Sequence, residues 1–93
     1  MKKLLKKAIL WWGIDFQLLM LIEECAELIQ AVSHYKRKRE GSFLKLLEEI
    51  VDVEILIAQV KLAFVTGTDK NEYLAIKRRK IKRLKERLTK EPT

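Results

Sequence analysis

Seven carboxylates stand in two otherwise oily stretches of this 93-residue chain, and five of them share the spacing that matters here. Glu23, Glu24 and Glu27 lie in LLMLIEECAELIQAV; Glu49 and Asp52 lie in LKLLEEIVDVEILIAQV. Ionised groups beside a hydrophobic core are unfavourable unless a cation or hydrogen-bond donors offset their desolvation. A hard dication such as Mg²⁺ takes carboxylate oxygens and usually keeps several waters. On a helix, Glu24 and Glu27 sit about 60° apart on one side, and so do Glu49 and Asp52. Two such pairs on antiparallel neighbouring helices supply the protein side of one coordination shell. Glu24, Glu27, Glu49 and Asp52 are therefore the expected metal ligands. No Cys or His joins them, which argues against zinc or copper.

Four clustered carboxylates repel one another, and they repel a polyphosphate. A metal reverses both effects and stabilises the charge that develops in phosphoryl or nucleotidyl transfer. A spare carboxylate, Glu23 or Glu27, can hold and deprotonate an attacking water. Basic residues near the C-terminus, with Lys80 and Arg83 as the best candidates, can neutralise the remaining phosphate charge.

The elements that must position these groups are helical. Residues 2–12 form a short amphipathic helix that Gly13 stops. Asp15 is the expected N-cap of a second helix running to about Lys38. Leu18, Leu21, Ile22, Cys25, Leu28, Ile29 and Val32 recur there at helical spacing and predict a broad buried face. The basic run from Lys36 to Arg39 closes that helix and complements its dipole. Glu40 and Gly41 turn the chain, and Ser42 is the expected cap of a third helix from about Phe43 to Val65. The short turn makes the second and third helices antiparallel neighbours. Asp69 and Glu72 form a capping-box pattern for a last helix to about Lys90. Its thin apolar stripe is Tyr73, Ile76, Ile81, Leu84 and Leu88, and most of its other positions are basic. The expected fold is all-α: a four-helix-type bundle with a short first helix, two long core helices and a basic last helix. The two core helices are apolar around too much of their circumference for a lone chain to cover, so an oligomer is expected.

Composition agrees with this patterning. The chain is 48% hydrophobic and 35% charged, with three Gly and one Pro. That suits one folded domain spanning residues 1–93, with a modest core. The net charge of +7 points to an anionic partner. A single cysteine, Cys25, excludes an intrachain disulfide, and with no export signal the expected setting is cytoplasmic. Lys6 and Lys7 interrupt the N-terminal apolar run, and no segment is long enough to span a bilayer, so no membrane association is expected.

The acidic pattern resembles that of the MazG-like all-alpha nucleotide pyrophosphohydrolases. Glu-Glu-x-x-Glu reads here as Glu23-Glu24-Cys25-Ala26-Glu27, and Glu-x-x-Asp reads as Glu49-Ile50-Val51-Asp52. The resemblance covers residues from about Trp12 to Leu88. It implies a helical bundle assembled as a homodimer or homotetramer. It also implies Mg²⁺-dependent hydrolysis, with Mn²⁺ as the alternative ion, of a nucleoside triphosphate to the monophosphate and pyrophosphate. Glu24, Glu27, Glu49 and Asp52 match the family's metal ligands, Glu23 matches an extra acidic residue, and Lys80 and Arg83 match loosely the basic positions of the last helix. The chain departs from the pattern at Leu18–Ile22, where many members carry a lysine. Relatives acting on phosphoribosyl-ATP share the acidic layout but follow the aspartate differently, so that activity ranks second. A non-catalytic basic module binding nucleic acid is the competing class. It accounts for the charge but not for the acidic pairs, and neither a helix-turn-helix nor an aromatic–basic RNA-binding pattern is visible.

Overall fold

The computed structural model describes residues 1–90. They form four helices and, among the described residues, no strand: α1 (Lys2–Trp12), α2 (Ile14–Lys36), α3 (Ser42–Phe64) and α4 (Asp69–Lys90). The chain divides into two compact units, residues 1–63 and the remainder.

In the first unit, one residue joins α1 to α2. Gly13 has φ 83° and ψ 157°, a combination essentially restricted to glycine. Its N–H donates to the Ile9 carbonyl at 2.8 Å, and its own carbonyl accepts from Gln17 at 3.2 Å, so it closes one helix and opens the next. Gly13, and not Asp15, is therefore the cap of α2. Asp15 lies inside the first turn, where its charge suits the helix dipole.

The C-terminus of α2 is a Schellman closure. Arg39 N–H donates to the His34 carbonyl and Lys38 N–H to that of Tyr35, with Lys38 in the left-handed region at φ 59°. This ends α2 at Lys36, two residues before the expected end. Ser42 is the first helical residue of α3. The Tyr35 and Phe43 rings meet across the turn with centroids 5.8 Å apart. Farther back along α2, Glu24 meets Asp52, which is farther forward along α3. The two helices are therefore antiparallel, as the short turn requires.

The buried line of α2 differs from the expected one. Gln17 and Ala31 are its buried residues, and half-buried Glu24 lies between them at seven-residue spacing. Leu18, Leu21, Cys25 and Leu28 flank this line half-buried, whereas Ile22, Ile29 and Val32 are exposed. Periodicity identifies that a side is apolar, but α2 is apolar around most of its circumference, so the pattern alone did not select the side facing α3. On α3 the inner face is Glu49, Val53, Leu56 and Gln59.

The second unit holds α4. Backbone bonds from Asp69 to Thr66, Lys70 to Gly67 and Asn71 to Thr68 wind its first turn, with Asp69 and Glu72 near the positive end of the helix dipole. Asp69 is the first helical residue. The apolar stripe lies along one side, with Lys80 beside it, and every residue from Lys77 to Lys90 is exposed. No helix among the described residues is long and apolar enough to cross a membrane.

Candidate metal centre

The α2–α3 seam carries its polar groups on the faces that the two helices turn towards each other. Glu24 from α2 and Glu49 and Asp52 from α3 each place one carboxylate oxygen so that the three oxygens lie within 4.8 Å of one another. Glu49 is 1% exposed, Glu24 is half-buried and Asp52 is exposed, so the group grades from sealed to open. Glu49 Oε2 and Glu24 Oε2 are both buried without a hydrogen-bond partner. Two orphaned carboxylate oxygens in one seam are costly as they stand, and the donor set is the all-oxygen kind that Mg²⁺ accepts. The residues thus fit a divalent cation.

The electrostatics follow from this crowding. Burial raises the Glu24 pKa above its ordinary value, and the charges of Glu27, Asp52 and Glu49 raise it further. Glu49 moves the other way despite its burial. The Lys45 ammonium, one turn earlier on α3, donates to Glu49 Oε1 at 2.9 Å and holds this carboxyl below its ordinary range. The same contact raises the Lys45 pKa.

Of the remaining sequence candidates, Glu27 is exposed and lies outside the set of three, although its charge acts on Glu24. It borders a small cleft with Gln30, Ala31, His34 and Lys45. Glu23 is exposed, farther round α2. Lys80 and Arg83 are exposed on α4, in the second unit.

Sequence reasoning missed three residues. Lys45 was legible in principle as the i, i+4 partner of Glu49. Gln17 and Gln59 are buried, each with an unpartnered Oε1. Gln17 precedes Glu24 by two turns and Gln59 follows Asp52 by two turns. In an antiparallel pair, both therefore fall about 10 Å from the carboxylates along the seam. Gln59 also borders an apolar cleft of about 480 Å³ with Leu5, Trp11, Trp12 and Ile55.

Compared with known proteins, the chain matches no family model, no curated protein and no solved structure.

Proposed function

We propose that this chain is a Mg²⁺-dependent nucleotide pyrophosphohydrolase of the MazG-like kind, converting a nucleoside triphosphate to the monophosphate and pyrophosphate. The observation that carries the reading is the convergence of Glu24, Glu49 and Asp52 from two helices, with two buried oxygens lacking partners. A solvated acidic face has no reason to bury Glu49.

In this reading Glu24, Glu49 and Asp52 hold the cation, and Glu27 is the fourth ligand or the group that orients water. A Mg²⁺ held by Glu24, Glu49 and Asp52 would supply stabilisation of the negative charge that develops on the phosphates. Glu27, exposed and beside the seam, accepts the proton of the attacking water, with Glu23 as the alternative. The water oxygen bonds to phosphorus as the α–β phosphoanhydride bond breaks and pyrophosphate leaves. Lys80 and Arg83 are the basic residues that the resemblance offers for phosphate charge. Mn²⁺ is the substitute ion, and the setting we assign is cytoplasmic.

The assembly we assign is a homodimer or a pair of dimers. Leu19, Ile22 and Ile29 form an uncovered stripe on α2, and Leu44, Leu47, Val51 and Ile55 form one on α3. Apolar surface of this extent gains about 25 cal/mol per Å² when a second copy removes it from water.

The test is pyrophosphate release over a panel of nucleoside triphosphates, with Mg²⁺ and with chelator. Activity in Mg²⁺ that chelator abolishes supports the reading. Turnover that survives chelation, or no turnover on any nucleotide, refutes it. The basic exposed face of α4 favours the competing nucleic-acid reading. Tight, salt-sensitive DNA or RNA binding that is indifferent to loss of Glu24 and Asp52 would establish it.

A further inference from the structure

Every cation that contacts the acidic seam should matter to its occupancy, and the first unit contains one in direct contact. Lys45 Nζ lies 2.9 Å from Glu49 Oε1 and 3.9 Å from Glu48 Oε2. Its side chain is largely exposed, at 59%, whereas the Glu49 side chain is 2% exposed. The ammonium therefore reaches in from solvent to one face of a sealed carboxylate. It satisfies one oxygen and leaves the other without a partner. Its contact with Glu48 is a surface pair and contributes little.

Lys45 also lines a cleft of about 220 Å³ with Glu27, Gln30, Ala31 and His34. Swinging away from Glu49 thus moves it into the open space of this cleft beside the seam. A flexible four-carbon stem allows this without movement of α3.

We propose that Lys45 is a displaceable counter-ion: it neutralises Glu49 in the metal-free protein, yields that carboxylate to the divalent cation, and then binds a phosphate oxygen of the nucleotide. The inference rests on the metal reading above. It assigns a phosphate-binding cation within the unit that holds the carboxylates. Two positive charges contend for one carboxylate, so deleting the lysine strengthens metal binding while it weakens nucleotide binding. A lysine with a merely structural role moves both in the same direction or neither.

The experiment uses the full chain and the variants Lys45→Met, Lys45→Arg and, as a control for charge alone, Lys36→Met. Thermal melting is titrated with Mg²⁺ and Mn²⁺ without nucleotide, and KM is measured by pyrophosphate release. Lys45→Met should melt below wild type in chelator, bind Mg²⁺ about tenfold more tightly, and raise the nucleotide KM about tenfold. Lys45→Arg should stay within about threefold of wild type in KM, because the charge and the reach remain. Lys36→Met should change metal affinity no more than about twofold, as screening by salt requires. Unchanged or weaker Mg²⁺ binding by a folded Lys45→Met overturns the proposal, and so does an unchanged KM. A wild type that binds neither Mg²⁺ nor Mn²⁺ overturns the metal reading itself. The two failures are therefore distinct.

Discussion

Glu24 on α2 and Asp52 on α3 bring carboxylate oxygens within 4.8 Å of each other, with Glu49 as the third member of the group. Like charges this close destabilise the fold unless a proton, a lysine or a metal intervenes. Each of the following predictions alters one of those remedies or the surface around them.

Glu24 is the carboxylate most affected by the crowding, and its pKa lies above the ordinary 4.5. A raised carboxyl pKa favours the folded state while the group stays protonated. That contribution is complete below about the ordinary value and is lost as pH rises through the raised one. Glu24→Gln should therefore raise the melting temperature of metal-free protein at neutral pH. The gain should shrink towards zero as pH falls below 4.5. Melting curves in chelator across this range measure it. A variant that melts lower than wild type at pH 7 would contradict the electrostatic account.

Metal binding should be visible as stability. A ligand that binds only the folded state contributes about 1.4 kcal/mol at tenfold above its Kd. For a chain of this size that is a rise of roughly 5–10 °C. Glu49→Ala should abolish the Mg²⁺-dependent rise and reduce pyrophosphate release by at least about a hundredfold, the scale expected when charge stabilisation in the transition state is lost. A variant that keeps the full Mg²⁺ shift would remove Glu49 from the ligand set.

Gln59 gives a prediction without metal. Its Oε1 is buried and unpartnered, a situation that costs about 1–3 kcal/mol. Gln59→Met keeps the volume and removes the orphaned oxygen, so stability in denaturant titration should rise by about 1 kcal/mol. A loss of comparable size would mean that the carboxamide has a partner in solution, such as a bound ligand or a second subunit.

The proposed assembly is testable at Ile22 and Ile29, which are 66% and 71% exposed. Ile22→Glu together with Ile29→Glu places charge on each copy of the apolar stripe. Losing about 1.5 kcal/mol or more per side chain should weaken association by at least about a hundredfold. Light scattering at micromolar concentration should read a dimer or tetramer for wild type and a monomer for the variant. A monomeric wild type would refute the assembly.

The four helices were legible because each repeats apolar residues at helical spacing between clear stops. The carboxylate convergence was legible because Glu24 and Asp52 interrupt oily helices joined by a short turn. Three features were hidden for physical reasons. Asp15 has good capping chemistry, but a glycine with φ 83° set the helix start two residues earlier. Ile22 and Ile29 suit a core, yet periodicity does not identify which apolar side a neighbour of the same chain covers. Lys45 is the third: an ordinary i, i+4 pair gains importance because its acid is sealed. Glu27, grouped with the ligands by spacing and by the resemblance, lies outside the set of three oxygens, but its carboxylate acts on both Glu24 and Glu49.

The short closure between Lys36 and Ser42 has a consequence for the order of assembly. Glu24, Glu49 and Asp52 belong to adjacent helices, so bringing them together requires closing only this brief loop. The entropy of that closure is small, and contacts between sequence neighbours form early in folding. During synthesis, the three carboxylates are all translated well before α4. The helical hairpin that carries them can thus close on its own, before the basic C-terminal helix has been made.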